Sequence, residues 1–114
     1  MKGLRQGFSL VELLVAVSLT SLLAALAVPS LLEARKQADK AHVQACAREL
    51  ALAQEVHFLD HGRYGALGEL DPGMLRPCRT VLVTGGPEGA GYRFTVARRE
   101  ARVTVSPEGI AQAP

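Results

Sequence analysis

Apolar side chains fill the chain almost without interruption over residues 8–32, and beyond that they recur in a pattern. Glu12 is the one charged residue in the run. Residues 13–32 are 20 uncharged positions, the length of helix that crosses a bilayer. Charge returns at Glu33, and helix-forming residues then continue without a glycine until Gly62. The pattern predicts one helix from about Phe8 to about Asp60, stopped by Gly62. Its second half has two apolar faces at helical spacing. Val43, Cys46, Ala47, Leu50, Ala53 and Phe58 share one, with Asp39, Lys40, Gln54 and His57 interrupting it. Ala38, Ala41, Ala45, Leu52, Val56 and Leu59 share the other. A helix on the surface of a lone domain needs a single apolar face, so the second predicts packing on neighbouring helices. Small residues on it allow close approach.

The period changes after the helix. Residues 61–79 read as a linker, with a turn at Asp71-Pro72-Gly73 and with Met74 and Leu75 anchoring it to the helix. Alternation over residues 80–84 (Val81, Val83), 92–98 (Tyr92, Phe94, Val96) and 101–106 (Ala101, Val103, Val105) predicts three strands. A short last strand is expected at residues 110–112. Residues 85–91, rich in glycine, read as a loop, and Arg99-Glu100 as a tight turn. The fold class is α+β, a long N-terminal α-helix packed against a small antiparallel β-sheet. There are no internal repeats.

Charge adds a direction. The formal net charge is +2, and setting aside residues 1–7, with Lys2 and Arg5, brings it to zero. Basic residues before an apolar span stay on the cytoplasmic side, so the rest of the chain is expected outside the cytoplasm. Cys46 and Cys78 both lie beyond the span, and in an oxidising compartment they are expected to pair; the alternative is two buried thiols.

A basic start and an apolar run fit three kinds of segment. A cleaved secretory signal has a candidate cut site at Ala25-Leu26-Ala27, but Glu12 sits near the front of its core. A plain membrane anchor fits by length. The third reading rests on the residues themselves. Gly7-Phe8-Ser9-Leu10-Val11-Glu12-Leu13-Leu14-Val15, followed by Leu23-Ala24-Ala25-Leu26-Ala27-Val28-Pro29, closely resembles the N-terminus of type IV prepilins and pseudopilins. Leu59-Asp60-His61-Gly62-Arg63-Tyr64 resembles the pattern that ends the helix in that family, with Gly65 where the family often has Pro.

The resemblance implies that a prepilin peptidase cuts between Gly7 and Phe8 and methylates the new amine of Phe8. Glu12 then lies four residues from a positive terminus, on the same helix face. In the family its counterpart neutralises the terminal amine of a neighbouring subunit during assembly. An acidic group at mid-membrane costs about 2.5–3.5 kcal/mol, so pairing Phe8 and Glu12 across subunits relieves two penalties at once. Pro29 lacks a donor and crowds the carbonyl of Ala25, which predicts a kink or unwinding over residues 24–29. Ser18, Thr20 and Ser21 are placed to satisfy freed backbone groups.

Other candidate chemistry is thin. His57 and His61 are spaced as a metal pair but have no third ligand, and read as solvated histidines at a helix end. His42 and Cys46 share that spacing, with Cys46 assigned to the disulfide. The glycine loop lacks the Lys and following helix of a phosphate cradle. No nucleophile–base arrangement points to an enzyme, and no cofactor or metal is expected. Arg93, Arg98, Arg99 and Arg102 put positive charge on the sheet, which makes DNA a weakly supported partner; a solvated strand face fits better.

The resemblance thus implies a prepilin leader (1–7), a transmembrane and assembly half-helix (8–32), an amphipathic half-helix (33–61) and a small β head (62–114). The implied role is a structural subunit, major pilin of a type IV pilus, polymerising through the N-terminal helix for motility, adhesion or DNA uptake. The implied partners are copies of the chain in a helical filament, the prepilin peptidase, the inner-membrane assembly platform with its ATPase, and an outer-membrane channel. The precursor would lie in the inner membrane and the product at the cell surface. A type II secretion pseudopilin or a minor pilin are the alternatives within the family. Major pseudopilins commonly carry an acidic calcium loop, and residues 106–110 contain no Asp. A membrane-anchored periplasmic binding module is the alternative outside it.

Overall fold

The computed structural model describes residues 9–112. Its elements are helix α1 (Leu10–His61), two short 3-10 turns (Leu67–Glu69 and Arg76–Thr80), and strands β1 (Leu82–Glu88), β2 (Gly91–Arg98), β3 (Ala101–Ser106) and β4 (Gly109–Gln112). Contacts divide the chain into two compact units, residues 1–34 and 35–114. The expected α+β architecture is what forms.

Helix α1 begins at a cap. The Ser9 hydroxyl accepts a hydrogen bond from the Glu12 backbone N–H at 3.1 Å, and Leu13 N–H closes the first turn onto the Ser9 carbonyl at 3.0 Å. The helix ends at Gly62, whose φ of 74° suits glycine and whose N–H reaches the Phe58 carbonyl at 2.7 Å. Between these caps the chain is helical throughout, Pro29 included. The unwinding expected over residues 24–29 is therefore not a feature of the single chain. Thr20 does not serve the carbonyl freed by Pro29; its hydroxyl donates to Ala16 within its own turn at 2.8 Å.

In the second unit, α1 turns Val43, Cys46, Ala47, Leu50 and Ala53 into a core completed by Leu70, Tyr92, Phe94, Val96, Val103 and Val105. Apart from Leu70, the latter are alternating residues of β2 and β3, so one face of the sheet covers one face of the helix. Met74 and Leu75 pack against this core, as expected of the linker's anchors. Phe58 departs from its expected place. It is 40% exposed and lies at the core's margin, tilted on Tyr64 at 4.8 Å between ring centroids. Tyr64 in turn meets Tyr92 edge-on at 4.8 Å. Ala38, Ala41, Leu52, Val56 and Leu59 are exposed and Ala45 is half-buried, so the second apolar face is left largely uncovered among the described residues.

The sheet is an antiparallel meander in the order β1-β2-β3-β4. The glycine-rich segment corrects the sequence reading: residues 85–88 belong to β1, and the turn shrinks to Gly89 and Ala90. Gly85 makes this possible. Its φ is 111°, and a Cβ there would collide with the Arg93 carbonyl on β2. Composition suggested a loop, whereas pairing with β2 supplies hydrogen-bond partners that keep the glycines extended. Arg99 turns the β2–β3 hairpin with a φ of 55°.

Candidate assembly surface and the clamps of the head

In the first unit the large apolar residues from Leu10 to Leu32 are all exposed, each at least 48%. The helix is long and apolar enough to cross a membrane, and its most apolar 18-residue window has nothing buried inside the chain. Glu12 is exposed in this setting and is the acidic residue of the first turn, where the helix dipole favours negative charge. Ser9 and Glu12 stand in the S-x-x-E spacing of a capping box. That spacing was readable in the sequence, and it gives Ser9 a role the motif reading passed over. Gly7 and Phe8 lie outside the described residues.

In the second unit, three ties hold the rest of the head to the helix. Cys46 and Cys78 form a disulfide across 32 positions of sequence, with Cα atoms 4.7 Å apart. Asp39 is a second tie. It is 6% exposed and accepts from Arg98 Nε at 3.0 Å and from an Arg99 terminal nitrogen at 3.3 Å. Arg98 also donates to the Thr80 carbonyl at 3.2 Å. A buried carboxylate needs such partners, and two guanidinium groups supply them. The Arg cluster is in large part the solvated face expected of it, with the Arg93 and Arg99 side chains 66% and 61% exposed, but three of its four charges are partnered. Arg98 and Arg99 are held by Asp39, and Arg93 pairs with Glu88 at 3.3 Å on the surface. Nothing local marks Asp39, because its partners lie 59 and 60 residues away.

The third tie is the chain's exit from the helix. The buried Gln54 amide donates to the Gly65 carbonyl at 2.7 Å and accepts from the Gly65 N–H at 2.9 Å. Both backbone groups of Gly65 are satisfied by one side chain. A Cβ at this position would come within 2.9 Å of the His57 ring, which gives a local reason for glycine here. His57 is itself buried, with Nδ1 2.9 Å from the Arg63 carbonyl and its ring stacked on His61 at 4.2 Å. It is a packed core histidine, which corrects the expectation of a solvated one. Among the described residues no group of three His, Cys, Asp or Glu is placed to hold a metal. Just beyond, Glu69 accepts from Ala66 N–H at 3.0 Å and pairs with Arg63 at 3.1 Å. These contacts, the backbone bond first, lower its pKa.

Burial of Tyr92 raises its hydroxyl pKa from 10.0 to about 12, with nearby Tyr64, Glu55 and Glu108 adding to the effect. The folded head favours the neutral phenol. Its stability is expected to be complete below pH 10.0 and to fall as the pH rises towards about 12, where the unfolded chain ionises first. A thermal-melt series across that window checks it, and a flat profile would remove Tyr92 from the account.

A family profile described as the prokaryotic N-terminal methylation motif matches residues 3–28. The matched stretch contains Gly7, Phe8, Ser9 and Glu12 and stops just before Pro29. Comparison with curated proteins gives no match. The methylation motif at residues 3–28, followed by one long helix and a four-stranded antiparallel sheet, supports a place for this chain in the type IV prepilin and pilin-like family.

Proposed function

We propose that this chain is the major subunit of a type IV pilus. In this reading the peptidase cuts between Gly7 and Phe8 and methylates Phe8, and residues 8–32 hold the subunit in the inner membrane. Subunits then leave the membrane by packing those segments together, with Glu12 of one neutralising the Phe8 amine of another. The assembly platform drives this step, and the head is displayed outside the cell. The observation that carries the reading is the match at residues 3–28, which runs into a helix whose apolar residues from Leu10 to Leu32 are uncovered. A membrane anchor would also leave them uncovered, but it has no need of Glu12 four residues beyond Gly7-Phe8.

The role is structural, and the chain enters chemistry as a peptidase substrate. Residues 106–110 have no Asp with which to build the acidic calcium loop common in major pseudopilins, which favours a pilus over a secretion pseudopilus. Pro29 is the place where the helix would unwind on leaving lipid, since its ring opposes the hydrogen bond to Ala25. Motility, adhesion and DNA uptake are outputs of the whole machine. Arg98 and Arg99 are engaged by Asp39, which leaves Arg102 as the exposed cation of the four without an ion pair among the described residues and weakens a DNA-binding sheet.

Mass spectrometry of surface filaments sheared from cells tests the proposal. The expected mature N-terminus is a methylated Phe8 in the most abundant protein of the preparation. Met1 would identify a plain anchor, and Val28 an ordinary secreted protein. A methylated Phe8 in trace amounts would indicate a minor pilin or a pseudopilin.

A further inference from the structure

The uncovered face of α1 in the second unit has a finer pattern than its apolar composition. Ala38, Ala41, Ala45, Arg48, Leu52, Glu55 and Leu59 follow one another at alternating spacings of three and four residues. This is the spacing of a coiled-coil seam, and five of its seven positions are apolar. All seven are exposed except the half-buried Ala45, and Leu52 and Leu59 are 52% and 80% exposed. The two polar members have opposite charge and stand one heptad apart. Neither Arg48 nor Glu55 makes a hydrogen bond or ion pair within the described residues. The acid's effect on Tyr92 is purely electrostatic.

We infer that a second copy of this chain covers this seam, and that Arg48 and Glu55 set the axial step between the two copies. Charge complementarity selects the occupant. Two parallel copies in register would bring Arg48 against Arg48 and Glu55 against Glu55. Buried like charges disfavour that arrangement. Displacing one copy by a heptad, about 10 Å at 1.5 Å per residue, brings Arg48 of the first against Glu55 of the second. The Glu55 of the first copy then remains for a third, displaced in the opposite sense. Such a contact does not close on itself and so propagates as a filament. A polar pair within an apolar seam lowers the strength of the contact and specifies its register. The inference rests on the polymer reading above and adds the residues that choose the stagger.

Charge swapping in cells that express the full chain tests it. Arg48→Glu alone and Glu55→Arg alone are each expected to lower the yield of sheared filaments by about tenfold or more, through like-charge contacts. The double variant Arg48→Glu/Glu55→Arg is expected to restore it to near the unaltered level. Non-reducing gels of the membrane pool should show the same processed, disulfide-bonded subunit throughout. Single variants that assemble normally would overturn the inference, as would a double variant that stays as poor as the singles while its membrane pool is intact. Loss of the folded subunit in both singles but not in the double would also overturn it, because the pair would then act within one chain. Absence of filaments from the unaltered chain would instead sink the polymer reading itself.

Discussion

Glu12→Ala is expected to leave membrane insertion and cleavage intact while lowering the yield of surface filaments by at least tenfold. The argument is an imbalance of penalties. Removing the carboxylate relieves part of an insertion cost that reaches about 2.5–3.5 kcal/mol at mid-membrane, so the precursor should accumulate at least as well as before. The loss falls on assembly. In the proposed filament the Phe8 amine of each subunit would meet no counter-charge in a medium that solvates it poorly. Breaking such a pair by removing one partner costs about 3–5 kcal/mol, and about 1.4 kcal/mol already makes a factor of ten. Glu12→Gln separates charge from shape, and it should assemble as poorly as Glu12→Ala. Loss of the first-turn charge from the cap costs far less, about 0.3–1 kcal/mol, and would not produce this defect. The measurement is the ratio of sheared filament to membrane-held mature subunit. Normal filaments from Glu12→Ala would remove the carboxylate from the assembly step.

The second large effect concerns the head. Replacing both Cys46 and Cys78 with alanine is expected to cost the head about 3–4 kcal/mol. The bridge closes a loop across 32 positions, and the chain-entropy model gives that figure for a loop of this length. A domain of this size has only several kcal/mol in total, so the loss is a large fraction of it. The chain has no Trp and two Tyr. Both Tyr64 and Tyr92 lie in the unit comprising residues 35–114. Tyrosine fluorescence of the full chain in detergent therefore reports on the head without interference from the apolar half of the helix. Urea titration should show a lower midpoint in the double variant, and reductant should shift the unaltered chain in the same direction. A shift worth less than about 1 kcal/mol would mean that the Asp39 clamp and the core suffice.

The amphipathic half of the helix shows how far periodicity reaches. Val43, Cys46, Ala47, Leu50 and Ala53 were readable as one face because a helix repeats every 3.6 residues, and they form the helical side of the core. Asp39, Gln54 and His57 looked like interruptions of that face. They are instead buried parts of it, each satisfied by a group from elsewhere: the arginines of the β2–β3 hairpin for Asp39, the Gly65 backbone for Gln54 and the Arg63 carbonyl for His57. A hydropathy pattern registers that a residue is polar and has no information about its partner. The glycine segment failed for the same reason in reverse. Its composition favours a loop, and only the register of Gly85 against Phe94 and Gly86 against Arg93 makes it a strand.

What the sequence determined by itself was local and chemical. The peptidase motif, the membrane-length helix, its stop at Gly62 and the alternating strands depend on neighbours a few residues apart, within reach of fixed spacing rules. Tertiary structure alone decided which polar groups are buried, which cations are free, and which apolar face of the helix the chain covers for itself. Each of those outcomes depends on pairing groups far apart in the chain, as Asp39 is from Arg98 and Arg99. Burial makes such pairing obligatory, but it leaves no periodic trace in the sequence.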